Sequence, residues 1–257
     1  MNFTQRQLYE LLEEKASFYN NPEFIEKDPI SIPHLFTKKE DIEIAGFLAA
    51  TLAWGQRVTI INKSRDLMTR MDNSPFDFVK NASEKEIESL STFVHRTFQG
   101  KDCIYFIHAL QQIYFQHNGL EAVFAEGYKE NQSIKESISQ FREIFFSFDH
   151  LHRTLKHIPD PMKGSAAKRI NMFLRWMVRN DEKGVDFGLW KSIKTSDLLC
   201  PLDLHSGNVG RKLGLLERKL NDWQAVEELT ASLRLFDASD PVKYDFALFG
   251  TGINENK

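Results

Sequence analysis

The sequence predicts an all-α fold, and three observations predict it. Turn-forming residues recur about every 10 to 20 residues, and the segments between them carry apolar residues at helical spacing. Alternating β-branched runs closed by tight Asn-Gly or Asp-Gly turns are missing. Capping patterns stand where helices should begin. The chain therefore reads as ten or more helices.

In chain order, "DIEIAGFLAATLAWG" (41–55) is apolar nearly all round and closes on Gly55, which predicts a central buried helix. "VTIINKSRDLMTRM" (58–71) puts Val58, Ile61, Leu67, Met68 and Met71 on one side of a second helix. Ser74 is placed as an N-cap with Pro75 at the first helical position. "SEKE" (83–86) and "SIKE" (133–136) are capping-box patterns. Asp222 caps "WQAVEELTASLRLF", and Asp240-Pro241 opens "VKYDFALFG", which Gly250 ends. No repeat or low-complexity linker divides the chain. We expect one two-lobed helical unit over 1–257, with a helical lobe at 41–150.

Composition narrows the function classes. A chain of 257 residues with 42% hydrophobic and 27% charged content can bury a real core. Its two cysteines, Cys103 and Cys200, cannot build a disulfide framework or a four-cysteine metal cluster, which fits a reducing compartment. No run of about 18 apolar residues implies a membrane span. The start, "MNFTQRQLYELLEEKA", is polar and acidic and does not read as a signal peptide, so cytoplasm is expected. A formal charge of −3 argues against a protein coated in basic surface. Positive charge nonetheless gathers in "KGSAAKR", "RWMVR" and "GRKLG" within the last 100 residues, which leaves room for a local basic patch.

Three constellations bear on chemistry. In "KGSAAKR" (163–169), small residues let the backbone turn tightly, and the helix start that follows presents N–H groups suited to a phosphate. Lys168 falls in the first turn of that helix, facing the positive end of its dipole, where a lysine does little for stability. The plainer alternative is a surface lysine in an ordinary helix–turn–helix. In "PLDLHSGNVGRKLG" (201–214), Asp203 is placed to cap a helix through the amide of residue 205 or 206. It is either a cap alone or an ordered carboxylate that also stabilises a developing cation. The third is "FDHLHRTLKH", whose His150, His152 and His157 have neither the spacing of a helical zinc pair nor that of a finger, so no metal site from side chains is expected. No nucleophile elbow, P-loop or dinucleotide fingerprint is present.

Four pieces, in order, resemble the helix-hairpin-helix DNA glycosylase superfamily. "FLAATLAWGQRVTIINKSRDLM" is similar to that family's early helix pair and aligns Gln56. "KGSAAKRI" is similar to the hairpin "PGVGxKTA", with Gly164 at the first glycine, Ala166 replacing the second and Lys168 at the lysine. "PLDLHSGNVGRKLGL" is similar to "VDTHVxRVxxRLGL" through Asp203, His205, Val209 and Arg211, and "YDFALFGTGI" resembles the last helix. More closely, residues 40–253 resemble an uncharacterised bacterial family, a domain of unknown function (DUF2400), through "KRINMFLRWMVR", "VDFGLW" and "DPVKYDFALFG". Residues 158–215 would then be the hairpin and aspartate-helix region. Its 35-residue interval from Lys168 to Asp203 implies an insertion at 180–200.

The resemblance implies a two-lobed glycosylase-type fold and DNA as partner, placing the protein at the nucleoid. It implies that Gly164, Ser165, Ala166 and Arg169 hold a phosphate, with a monovalent cation assisting at the hairpin, and that His205 and Arg211 lie on the DNA side. Lys168 attacks the sugar as a neutral amine while Asp203 stabilises the cationic sugar, giving glycosylase and abasic-site lyase activity. Gln56 fills the gap left by the extruded base. Trp54 and Trp176 are candidates to stack on it, although tryptophans at such spacing also serve as core. No cysteine cluster follows the last helix, so no iron–sulfur cofactor is expected. Two rivals stand beside this: a non-catalytic DNA-binding module on the same fold, and a helical enzyme acting on small molecules or RNA. Which lesion would be recognised, and which protein partners, the sequence does not say.

Overall fold

In the computed structural model, which describes residues 3–254, the chain is helical apart from one minimal ribbon, β1 (Val94–His95) with β2 (Phe98–Gln99). The chain divides into two units. One is continuous, Ile25–Pro159; the other is discontinuous, Met1–Phe24 with Asp160–Lys257. The lobe expected at 41–150 lies inside the continuous unit.

The continuous unit is built on α3 (Lys39–Leu52), buried at every position from Ile42 to Leu52. One of those residues, Glu43, accepts a hydrogen bond from the Tyr114 hydroxyl at 2.7 Å. The helix stops at Leu52, three residues before the expected Gly55, because the chain tightens as Ala53 N–H bonds to the Ala50 carbonyl and Trp54 N–H to that of Leu52. Next come α4 (Arg57–Arg70), α5 (Pro75–Asn81), α6 (Glu84–Glu88), α7 (Gly100–Gln116), α8 (Leu120–Lys129) and α9 (Ile134–Phe145). Phenylalanines fill the middle: Phe47 lies 5.5 to 5.8 Å, ring centre to ring centre, from Phe106, Phe141 and Phe145. On α4 the expected stripe holds for Ile61, Leu67, Met68 and Met71, but Val58 is 71% exposed. Pro75 opens α5 as expected, yet Ser74 gives no side-chain cap. Ser83 and Glu86 close a full capping box, whereas Ser133 caps α9 while Glu136 turns to Asn131.

The β1–β2 turn was invisible in the sequence because Arg96, not Asn or Gly, takes the left-handed conformation (φ 55°). Of the three histidines, His157 is buried with Nε2 3.5 Å from Asp102 Oδ2, and His150 Nδ1 meets the Phe148 carbonyl.

In the discontinuous unit α13 (Tyr244–Asn254) packs against both α1 (Gln5–Tyr19) and α11 (Leu204–Lys212). Gly250 does not end α13, as the sequence suggested; it lies inside the helix, where a Cβ would overlap the Tyr19 ring. A Cβ at Gly252 would stand 2.9 Å from that of His205 on α11. These two glycines let the neighbouring helices approach closely. α12 (Trp223–Arg234), capped by Asp222, adds Val226 and Leu229 to the core formed with Leu12 and Leu248.

α10 (Lys168–Val178) is buried from Ile170 to Val178. The segment 180–200 is no loose insertion. Phe187 N–H bonds to the Trp176 carbonyl at 2.8 Å and Trp190 N–H to that of Met177 at 2.9 Å, so the chain satisfies the last carbonyls of α10. Val185 and Trp190 are buried, and the Trp190 ring meets Phe173 edge-on at 5.4 Å.

Candidate active site

The site starts from a strained turn. Asp160 caps a 3-10 turn at Pro161–Lys163, then Gly164 turns left-handed (φ 85°, ψ 5°). The next left-handed residue is Ala167 (φ 43°, ψ 38°), immediately before Lys168. A non-glycine residue there stores about 1–3 kcal/mol of strain. The segment ahead of this turn is 3-10 over His152–His157 and again over Pro161–Lys163, where a helix-hairpin-helix unit would carry an α-helix.

Most amides of the turn are already used. Gly164 N–H donates to the Pro161 carbonyl, Ser165 N–H to that of Asp160, and Ala167 N–H to Ser165 Oγ. Ser165 also bridges antiparallel to Asp222, with Trp223 N–H donating to the Gly164 carbonyl. The carbonyls of Asp160, Pro161, Gly164, Ala166 and Ala167 each accept a hydrogen bond. Arg169 follows half-buried, its guanidinium pushed down to about 10 by burial.

Opposite the turn, in the same unit, Asp203 caps α11. Its Oδ1 accepts from His205 N–H at 2.8 Å and Ser206 N–H at 3.0 Å, while its own N–H donates to Ser206 Oγ. Its Oδ2 lies 3.7 Å from Lys168 Nζ. Both side chains are about a quarter exposed, so the pair is reachable from solvent. Lys168 Nζ also lies 3.5 Å from Met172 Sδ and 5.5 Å from the centre of the Phe249 ring. The amine thus has an apolar floor, one carboxylate oxygen beside it, and an open side.

The remaining sequence candidates divide. His205 is exposed beside Asp203. Arg211 is tied down: its Nε donates to the Arg218 carbonyl at 2.8 Å and its Nη2 to Asn221 Oδ1 at 2.7 Å. Trp176 is fully buried and belongs to the core, so it offers no face to a base; its indole N–H has no partner among the described residues. Trp54 and Gln56 belong to the continuous unit. Trp54 is half-buried with the Arg96 guanidinium 4.7 Å over its ring, and exposed Gln56 begins α4.

Sequence reasoning missed a network of buried charges further along α10 and just past its end. Arg175 pairs with Asp186 at 3.3 Å and with Asp245, and Arg179 pairs with Asp186 at 3.0 Å and Asp240 at 2.9 Å. Phe246 lies under both guanidinium groups, at 4.3 and 5.4 Å. These charged residues come from "KRINMFLRWMVR", "VDFGLW" and "DPVKYDFALFG", and nothing within any one of the phrases marks the pairing. Asp245 is pushed up to about 6: burial raises it, Arg175 and Lys168 pull it down, and Asp203 and Asp186 raise it again. Among the described residues no group of three His, Cys, Asp or Glu side chains is arranged to hold a metal, and no helix is long and apolar enough to cross a membrane.

A family model described as "Protein of unknown function (DUF2400)" matches residues 28–254. No curated protein and no solved structure matches the chain.

Proposed function

We propose for this chain, which belongs to the DUF2400 family, the activity of a DNA base-excision repair glycosylase that also cleaves abasic sites. One observation carries the proposal: Lys168 Nζ stands 3.7 Å from Asp203 Oδ2 in a partly open site, although 35 residues separate the two in sequence. An amine at that distance from a fixed carboxylate suits nucleophilic attack on a sugar carbon that becomes cationic.

In the proposed reaction the target nucleotide is turned out of the stack. The neutral Lys168 amine bonds to the sugar C1′ as the bond to the base breaks, and the base leaves with the bonding electron pair. Asp203 Oδ2 stabilises the positive charge that builds on the sugar. Nζ passes one proton by way of Asp203 Oδ2 to the departing base. Ring opening with protonation of the ring oxygen from solvent gives a protonated imine at Nζ. Loss of a C2′ proton then expels the 3′ phosphate, which cuts the strand. The finer fold type, that of the helix-hairpin-helix DNA glycosylases, belongs to the same proposal. The order of the Gly164 turn, Lys168 and capped Asp203 supports it; the 3-10 geometry ahead of the turn departs from it.

The test is borohydride trapping. Wild-type protein mixed with duplex DNA carrying an abasic site should form a covalent, reduced adduct, and Lys168→Gln should abolish it. A wild type that binds this DNA yet gives no adduct would remove the lyase claim. It would favour a non-catalytic DNA-binding module, in which the Lys168–Asp203 pair only ties α10 to α11. That rival has its own support in Ala166, which stands where the resemblance has the second hairpin glycine.

A further inference from the structure

We propose that Asn221 is a positioning residue of this site: its side chain holds the backbone of Asp203 against the same loop that holds the turn before Lys168. The inference rests on the reading of Lys168 and Asp203 as the reacting pair, and it names what keeps the two together.

The acid and the amine come from separate pieces of chain. Lys168 follows the left-handed Ala167, and Asp203 opens α11 35 residues later. The loop between α11 and α12, residues 213–222, reaches both. Asn221 Nδ2 donates to the Asp203 carbonyl at 3.0 Å. One residue on, Asp222 bridges antiparallel to Ser165, and Trp223 N–H donates to the Gly164 carbonyl at 3.0 Å. Asp222 itself is extended (φ −119°, ψ −174°). Two residues of extended chain span about 7 Å, too short a link to let its ends drift apart. The loop is thus a ruler laid between the acid's peptide and the turn that carries the amine.

That ruler is fixed at several points. Asp222 caps α12 through the Ala225 N–H at 3.1 Å and accepts from Arg218 Nε at 2.6 Å. Arg211 Nε donates to the Arg218 carbonyl at 2.8 Å, and its Nη2 donates to Asn221 Oδ1 at 2.7 Å. A guanidinium only donates, so it fixes which end of the Asn221 amide is oxygen and leaves the nitrogen for Asp203. Gly207, one turn into α11, makes room for this arrangement. A Cβ there would stand 2.9 Å from both Asn221 Oδ1 and Arg211 Nη1. The Asp203 carbonyl also accepts the Gly207 N–H at 3.0 Å, the opening bond of α11. Losing the Asn221 contact therefore leaves the helix closed and frees only the placement of its first residue.

Three substitutions separate position from folding. Asn221→Asp keeps an oxygen for Arg211 but sets an acceptor against the Asp203 carbonyl. Asn221→Ala removes both contacts. Gly207→Ala leaves the amide intact and displaces it. The first measurement uses the full chain without DNA. A zero-length carbodiimide joins an amine to a carboxylate only where the two meet, and peptide mass spectrometry reads the Lys168–Asp203 amide. Its yield should fall about threefold in each variant, because the pair is no longer held in register. Melting temperatures should stay close to wild type. The second measurement is borohydride trapping over a range of abasic-DNA concentrations. The limiting rate should fall about tenfold with the half-saturating DNA concentration unchanged, since Asn221 places the acid and does not grip the DNA.

An amide that only anchored the loop would be replaced by Asn221→Asp with no change in either measurement. Unchanged cross-linking in folded variants, or a wild type that gives no Lys168–Asp203 amide, overturns the proposal. So does an unchanged limiting rate where wild type is trapped, and the nucleophile reading then survives. Reduced cross-linking in the variants with no trapping in wild type sinks the nucleophile reading and leaves the positioning of the pair standing.

Discussion

At the scale of single residues, Asp203 divides its work between its two oxygens: Oδ1 closes the start of α11 and Oδ2 faces the amine. The two duties separate by mutation. Asparagine caps a helix about as well as aspartate, so Asp203→Asn should leave the denaturation midpoint nearly unchanged while trapping slows by about a hundredfold. Asp203→Ala removes the cap as well and should cost about 1 kcal/mol of stability. Equal trapping by Asp203→Asn and wild type would remove the carboxylate from the chemistry. Asp102, in the other unit, makes a contrasting case. Burial alone would raise its proton affinity, but hydrogen bonds from His157, the Gln99 N–H and the Thr154 hydroxyl win, and it falls from 3.8 to about 2. A native value below the unfolded one gives stability that is present above about pH 4 and lost as the pH drops toward 2. The shift corresponds to about 2 kcal/mol. Urea denaturation between pH 4 and 2 should therefore show a steep loss in wild type and a flatter one in Asp102→Asn. Parallel acid limbs would show that Asp102 is not the group responsible.

At the scale of elements, the helices could be read from the chain, but the reasons for their ends could not. Glycine after an apolar run signals a helix stop, and on that ground Gly250 looked like the end of α13. Its real constraint is the Tyr19 ring, which sits far away in sequence. The same limit applies at the turn before Lys168. The left-handed Gly164 is legible from residue type, whereas Ala167 takes a left-handed conformation that only the surrounding packing imposes. The segment 180–200 looked like an insertion because 35 residues separate Lys168 from Asp203, yet Val185, Trp190 and Cys200 are buried. Lys168 and Asp203 were legible as a motif pair; Asp245 and Arg175 were not, since nothing local marks a buried ion pair on two amphipathic helices. The Gly250 account makes a prediction. Gly250→Ala gains about 1 kcal/mol of helix propensity but forces a clash costing about 1–3 kcal/mol. It should lower the melting temperature in wild type and raise it in a Tyr19→Ala background. A substitution equally harmful in both backgrounds would mean that Tyr19 is not what the glycine accommodates.

For the whole molecule, apolar spacing and capping patterns revealed the helical class but not the division of the chain. No change of composition marks residue 25 or 160, because the continuous unit is inserted into the other one and both are built from amphipathic helices. The discontinuous unit draws its core from both sides of that insertion. α1 precedes residue 28, where the family match begins, yet Leu8, Leu12 and Ala16 belong to the same buried cluster as Leu248 and Val209. Glu13 of α1 also receives the Tyr244 hydroxyl and lies 2.8 Å from Lys243 Nζ, at the start of the helix that carries Asp245. Burying two leucines contributes about 3–6 kcal/mol, a large share of the roughly 5–15 kcal/mol that holds a typical domain folded. Removing residues 1–24 should therefore expose the α1 side of α13, raise binding of a hydrophobic dye and lower the urea midpoint of the discontinuous unit. Asp102 and the phenylalanine core lie in the other unit, so the acid limb assigned to Asp102 should persist in the truncated protein. A truncated chain that unfolds at the full-length midpoint would show that α1 only decorates the site-bearing unit, and that the Lys168–Asp203 geometry is held without it.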